Sequence, residues 1–136
     1  MVAYSFKGRF EPRIQARTKR QTIRAIGKKR HTRPGERITL TTGDRFHPRL
    51  IGEAVCKSVD LISLDLVAGR ITLGDTQPNP AIYPVYRDRD DLDAFAVLDG
   101  FDDWADMVAF WRLTHPGADT FDGIRILWGG TFRSAS

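Results

Sequence analysis

The chain has 136 residues, 41% hydrophobic and 28% charged, a balance that suits one globular domain and excludes a disordered segment or a pair of domains. No apolar run approaches the roughly 20 residues that span a bilayer, and Met1-Val2-Ala3-Tyr4-Ser5-Phe6 lacks a secretory pattern. The lone Cys56 excludes an intrachain disulfide and argues against a cysteine zinc site, so a soluble cytoplasmic protein is expected.

Val2 to Phe6 alternates and reads as a first strand. Glu11 to Arg17 suits one or two helical turns, with Pro12 tolerated at the start. Thr22 to Ile26 is a second strand ended by Gly27, and Arg33-Pro34-Gly35-Glu36 is a turn into a β-branched strand over Arg37 to Thr42. Leu50 to Leu66 holds one long strand or two, and Arg70 to Leu73 another. Asp75 to Pro80 reads as an irregular surface loop, and Asp90 to Leu98 as a short helix. The strongest helix follows Gly100: Asp102 is its expected cap, and Trp104, Met107, Val108 and Trp111 form one apolar stripe, read as core. Gly123 to Trp128 is a final strand. The expected domain is 1–128, with 129–136 a flexible tail. Many short strands with two or three short helices predict an α+β fold around a curled sheet or small barrel.

The net charge of +4 hides an asymmetry. Residues 1–57 carry 15 basic and 4 acidic side chains, residues 58–136 carry 6 and 13. Between Lys7 and Arg33, eleven basic residues accompany one acid, Glu11, a block that attracts polyanions unless it simply pairs with the acidic half.

Within that block, Thr22 and Arg24 share one strand face, whereas Lys19 needs a turn or helix end before the strand to join them. Convergence would set an amine, a hydroxyl and a planar guanidinium in one pocket, able to hold a base and a phosphate or carbonyl. The same set could be catalytic, a desolvated lysine acting as base toward the Thr22 hydroxyl. Spacing alone also allows a plain basic turn before a strand.

The run YSFKGRFEPRIQARTKRQTIRAIGKKRHTRPGERITLTTG resembles the ASCH family, whose members open with a strand and short helix, then K-x-x-T-x-R and a P-G-[DE] turn. Lys19, Thr22 and Arg24 match the first motif, and Pro34, Gly35 and Glu36 the second. LDGFDDWADMVAFWRLTHPG resembles the family's acidic-Gly-Phe element before an amphipathic helix; the likeness spans most of residues 2–128, with no distinctive motif from Gly69 to Arg89. It implies a PUA-like small β-barrel with helices packed over its openings and an association with RNA. Some small members hydrolyse the acyl amide of N4-acylated cytidines with a Lys, a Thr and a Glu. Carried over, Lys19 is the base, Thr22 the nucleophile, and Asp99 stands in the acid's place, one methylene shorter. Asp75 to Asp90 would be an extra loop.

His31, His47 and His115 are scattered without metal-ligand spacing, so neither a metal nor a cofactor is expected. Arg45, His47 and Arg49 surround Phe46, which either stacks on an exposed base or fills the core. The leading expectation is an RNA- or modified-nucleobase-binding module, monomeric, with Lys19, Thr22, Arg24 and Asp99 lining its cleft. Arg20, Lys28, Lys29, Arg30, Arg45 and Phe46 would supply further ligand contacts. The alternatives are the metal-independent amidohydrolase and a domain that docks an acidic protein partner.

Overall fold

A computed structural model describes residues 1–74 and 84–136. The loop expected over Asp75 to Pro80 lies outside them. The elements are β1 (Val2–Phe6), a 3-10 turn (Gly8–Phe10), α1 (Glu11–Gln15), β2 (Gln21–Arg24), β3 (Arg37–Gly43), β4 (Pro48–Val55), β5 (Ser58–Asp65), β6 (Arg70–Leu73), β7 (Val85–Tyr86), α2 (Arg89–Leu98), α3 (Trp104–Thr114), β8 (Thr120–Leu127) and β9 (Arg133–Ser134).

The fold is α+β. Among the described residues the strands form two sheets, ordered β1-β3-β4-β9 and β2-β8-β5-β6-β7, instead of one closed barrel. The changeover is visible at Cys56-Lys57. Cys56 N–H donates to Glu36 beside the first sheet, while Lys57 N–H donates to Leu127 of the second. Hydrogen bonding is thus handed from one sheet to the other at a corner. In the first sheet β1 runs parallel to β3, so the chain between them makes an excursion that contributes α1 and β2. Alternation along β3 buries Ile38 and Leu40 fully, and Ile126 and Leu64 do the same from β8 and β5. Trp128 is fully buried edge-on to Phe6, joining the two halves of the core.

Three details differ from the sequence reading. Strand β2 ends at Arg24, and Ile26 is exposed. Asp103, not Asp102, caps α3, accepting the Asp106 N–H at 2.8 Å, while Asp102 N–H donates back to Asp106 Oδ2 at 2.9 Å. The segment 129–136 is held rather than loose. Phe132 is 3% exposed under the Arg17 guanidinium, Thr131 bonds Val55 on both sides, and Arg133–Ser134 pair with β4.

Candidate functional site

Helix α1 ends in a left-handed residue, Arg17 at φ +67°, with Thr18 N–H returned to the Arg13 carbonyl and Arg17 N–H to that of Ile14. This stop turns the chain sharply before β2 and sends Lys19 inward, where it is 3% exposed. Helix α2 ends in the same motif, with Gly100 at φ +98° and Phe101 N–H on the Ala96 carbonyl. Asp99, at that end, is 4% exposed. Gly100 has no substitute here: a Cβ would lie 2.7 Å from Lys19 Cδ and 2.9 Å from Phe10 Cδ1.

Two helix stops thereby bring Lys19 and Asp99 together, Nζ to Oδ1 at 3.8 Å. The Lys19 amine donates to the carbonyls of Gln21, at 2.8 Å, and Asp99. It also lies over the rings of Phe10 and Phe6, 4.9 and 5.4 Å from their centroids. Burial pushes the amine down to about 8, against the pull of the Asp99 carboxylate. The same burial raises the Asp99 carboxyl above its usual range, against Lys19. With two protons committed to carbonyls, the third tetrahedral direction of Nζ carries a proton in the ammonium and a lone pair in the amine.

On β2, Arg24 Nε donates to Thr22 Oγ1 at 3.0 Å, and its Nη2 to the Ser5 carbonyl at 2.7 Å. Tyr4 and Phe6 hold the guanidinium from their ring faces, at 5.2 and 4.9 Å. Thr22 Oγ1 is thus an acceptor toward Arg24, and its own proton is left for another partner. Among the described residues no hydrogen bond joins Lys19 Nζ to Thr22 Oγ1.

Lys19, Thr22, Arg24 and Asp99 all line one cleft of about 290 Å³, near the lower end of small-ligand sites at roughly 300 Å³. It opens between the end of β1, strand β2 and the α2–α3 junction, and Phe10, Phe101, Phe110, Trp111 and Phe121 wall it. Trp111 serves both the core, at 5% exposed, and this wall. His115 stacks on Trp111 at 4.5 Å at the cleft. The Thr114 hydroxyl makes bonds of 2.9 Å to both the Phe110 carbonyl and His115 Nδ1. Its one proton goes to the carbonyl, so in the neutral ring His115 Nδ1 carries the hydrogen and Nε2, bonded to none of the described residues, is an acceptor.

The other expected ligand residues lie outside the cleft lining. Arg20 is exposed and donates from Nε to the Arg17 carbonyl. Lys28 and Lys29 are exposed on the segment that leaves the cleft after Ala25, and no described acid lies within 4.0 Å of either. Arg30 forms a forked pair with Glu36 at 2.8 and 3.2 Å, leaving it less available to phosphate. Phe46 is 81% exposed beside Arg45, so it does not fill the core.

Gln21 went unnoticed in the sequence. It is fully buried, donates to Asp99 Oδ1 at 3.4 Å, and accepts from Arg125 at 3.5 Å; Arg125 in turn holds Asp60 at 2.7 Å. A polar residue at a core-facing position of a short strand was the available signal.

No family model, curated protein or solved structure matches this chain. What the cleft can do follows from its own groups. It offers cationic donors at its floor, one carboxylate, one imidazole acceptor and flat apolar walls, which together suit a planar, polar-edged ligand.

Proposed function

We propose that the chain is an ASCH-type, PUA-like domain of the cytoplasm that binds a nucleobase, free or within RNA, in the cleft of Lys19, Thr22, Arg24 and Asp99. The observation that carries this reading is the meeting of those four side chains in one aromatic-walled cleft. A base presents donors and acceptors on one edge and apolar faces above and below. Splayed bases in RNA are held by stacking and edge hydrogen bonds of this kind. Lys28 and Lys29, on the segment that follows β2, supply charge for phosphate.

The test is equilibrium binding of the four ribonucleosides and of short RNA to the wild type and Arg24→Ala. Losing a hydrogen-bonded charge should weaken binding by about tenfold or more. Equal affinity in the variant, or no binding of any base, counts against the reading.

A second reading has its own support. Lys19, pushed to about 8, is a usable base near neutrality, and Thr22 Oγ1 receives an Arg24 N–H that would stabilise a developing alkoxide. On an N4-acylated cytidine, Thr22 Oγ would attack the acyl carbon and Lys19 would take its proton. That proton would pass to the departing N4, and water would then cleave the acyl-threonine ester. Release of cytidine from N4-acetylcytidine, lost in Thr22→Ala, would establish turnover; binding without release leaves the first reading.

A further inference from the structure

A second hollow adjoins the cleft. It is an open groove of about 510 Å³ lined by Phe6, Lys7, Gly8, Thr42, Gly43, His47 and Arg49. Phe6 and Lys7 line both, so the two depressions share the end of β1 as a common wall. The β3–β4 turn forms the far side of the groove and is tightly folded. Asp44 Oδ1 accepts the backbone N–H groups of Phe46 and His47 at 2.8 and 2.7 Å. Gly43, at φ +98°, leaves no room for a Cβ, which would meet the His47 carbonyl at 2.6 Å.

That turn presents Phe46 to solvent, with the Arg45 guanidinium 5.7 Å from its ring. A single exposed phenyl means little by itself. Here it directly precedes His47 of a groove that shares a wall with the cleft, in a stretch where some cations are unpaired among the described residues. Arg49 is committed to Glu11 through both terminal nitrogens, at 2.8 and 2.9 Å. Lys7 and Arg45 have no acid within 4.0 Å among the described residues. One cation therefore lies on the wall common to cleft and groove, and another lies over the Phe46 ring.

We propose that this groove is a subsite for the nucleotide next to the bound base, so that the ligand is a single-stranded nucleic acid and not a free nucleoside. The linking phosphate meets Lys7, and the neighbouring base stacks on Phe46 with Arg45 beside it. Stacking of this kind tolerates any base, because every base has a π face. The inference rests on the nucleobase reading of the cleft and adds a second position to it.

The experiment compares each ribonucleoside with its homotetranucleotide, by calorimetry or competition, in the wild type, Phe46→Ala and Lys7→Ala. Thermal melts check that the variants are folded. The tetranucleotide should bind at least about tenfold more tightly than the nucleoside. Phe46→Ala should remove about 5- to 150-fold of that affinity, the worth of one base–aromatic stack, while nucleoside binding stays unchanged. Lys7→Ala should flatten the salt dependence of tetranucleotide binding, by a log–log slope of roughly 0.7 for one lost phosphate contact. Equal affinity for nucleoside and tetranucleotide, or a Phe46→Ala loss common to both, overturns the subsite and leaves the cleft reading standing. If neither class of ligand binds, the cleft reading fails first and the subsite with it.

Discussion

Lys19 and Asp99, 80 positions apart, meet inside the protein with the amine nearer to the aspartate's backbone carbonyl than to its carboxylate at 3.8 Å. The contact is therefore a weak ion pair held in place by backbone acceptors. Both side chains are disfavoured in their charged forms by burial, and each is the other's main electrostatic relief.

Removing one partner strands the other. Lys19→Met should destabilise the fold by up to about 3–5 kcal/mol, since an unpaired buried charge remains. The double variant Lys19→Met/Asp99→Leu should lose less than the single one. Urea melts of both single variants and of the double variant check this, and a double loss equal to the sum of the two single losses would refute the coupling.

The lysine also sets a pH dependence. Folded, it titrates at about 8; its ordinary value is 10.5. Between these two values the unfolded chain keeps a proton that the folded chain has released, so stability rises with pH across that window. Below about 8 both states are protonated, and the cost of burying the charge is constant. Lys19→Met should abolish the rise, visible as a wild-type advantage that grows from pH 8 toward pH 10. Asp99 works in the opposite range: its raised carboxyl makes stability fall as pH climbs from its ordinary 3.8 through its folded value.

The same titration separates the two functional readings. A ligand held by the ammonium should bind less tightly above about pH 8, whereas hydrolysis using the free amine should speed up through that value. Affinity and rate measured between pH 6.5 and 9.5, roughly 1.5 units either side of that titration, decide between them.

Gly100 and Gly35 form a matched pair of controls, with φ of +98° and +89°. Gly35→Ala meets nothing within 4 Å and should cost only the left-handed strain of about 1–2 kcal/mol. Gly100→Ala pays the same strain and also drives a methyl into Lys19 and Phe10. It should cost more stability than Gly35→Ala and abolish ligand binding, which Gly35→Ala preserves.

Phe132→Ala tests the held C-terminal segment. Losing a buried phenyl should cost about 3–5 kcal/mol in a chemical melt. A loss under about 1 kcal/mol, the scale of surface changes, would mean that the segment contributes little.

Much of this architecture was legible because local rules agreed with tertiary demand. Ile38 and Leu40 alternate with exposed or half-buried neighbours, as a strand with one packed face must. Trp104, Met107 and Trp111 recur at helical spacing and are buried. Lys19 could join Thr22 and Arg24 only past a helix stop, and Arg17 supplies it. What escaped depended on distant partners. Gln21 is tolerable in the core because Asp99 and Arg125 satisfy it, and neither is near in sequence. Strand β9 is two residues long, and its order comes from Phe132 and Thr131 fitting against β4 and α1's end. The division into two sheets reflects the handover at Cys56-Lys57, where no glycine or proline marks a corner.

Between the parallel strands β1 and β3 the chain passes through the second sheet, by way of β2, before it completes the first. The cleft takes its walls from both sheets and its carboxylate from a helix end far along the chain. The cleft is complete only when both sheets and that helix end are in place. If the cleft holds a base as proposed, that capture belongs to the finished molecule, and a nascent or half-melted chain would lack it.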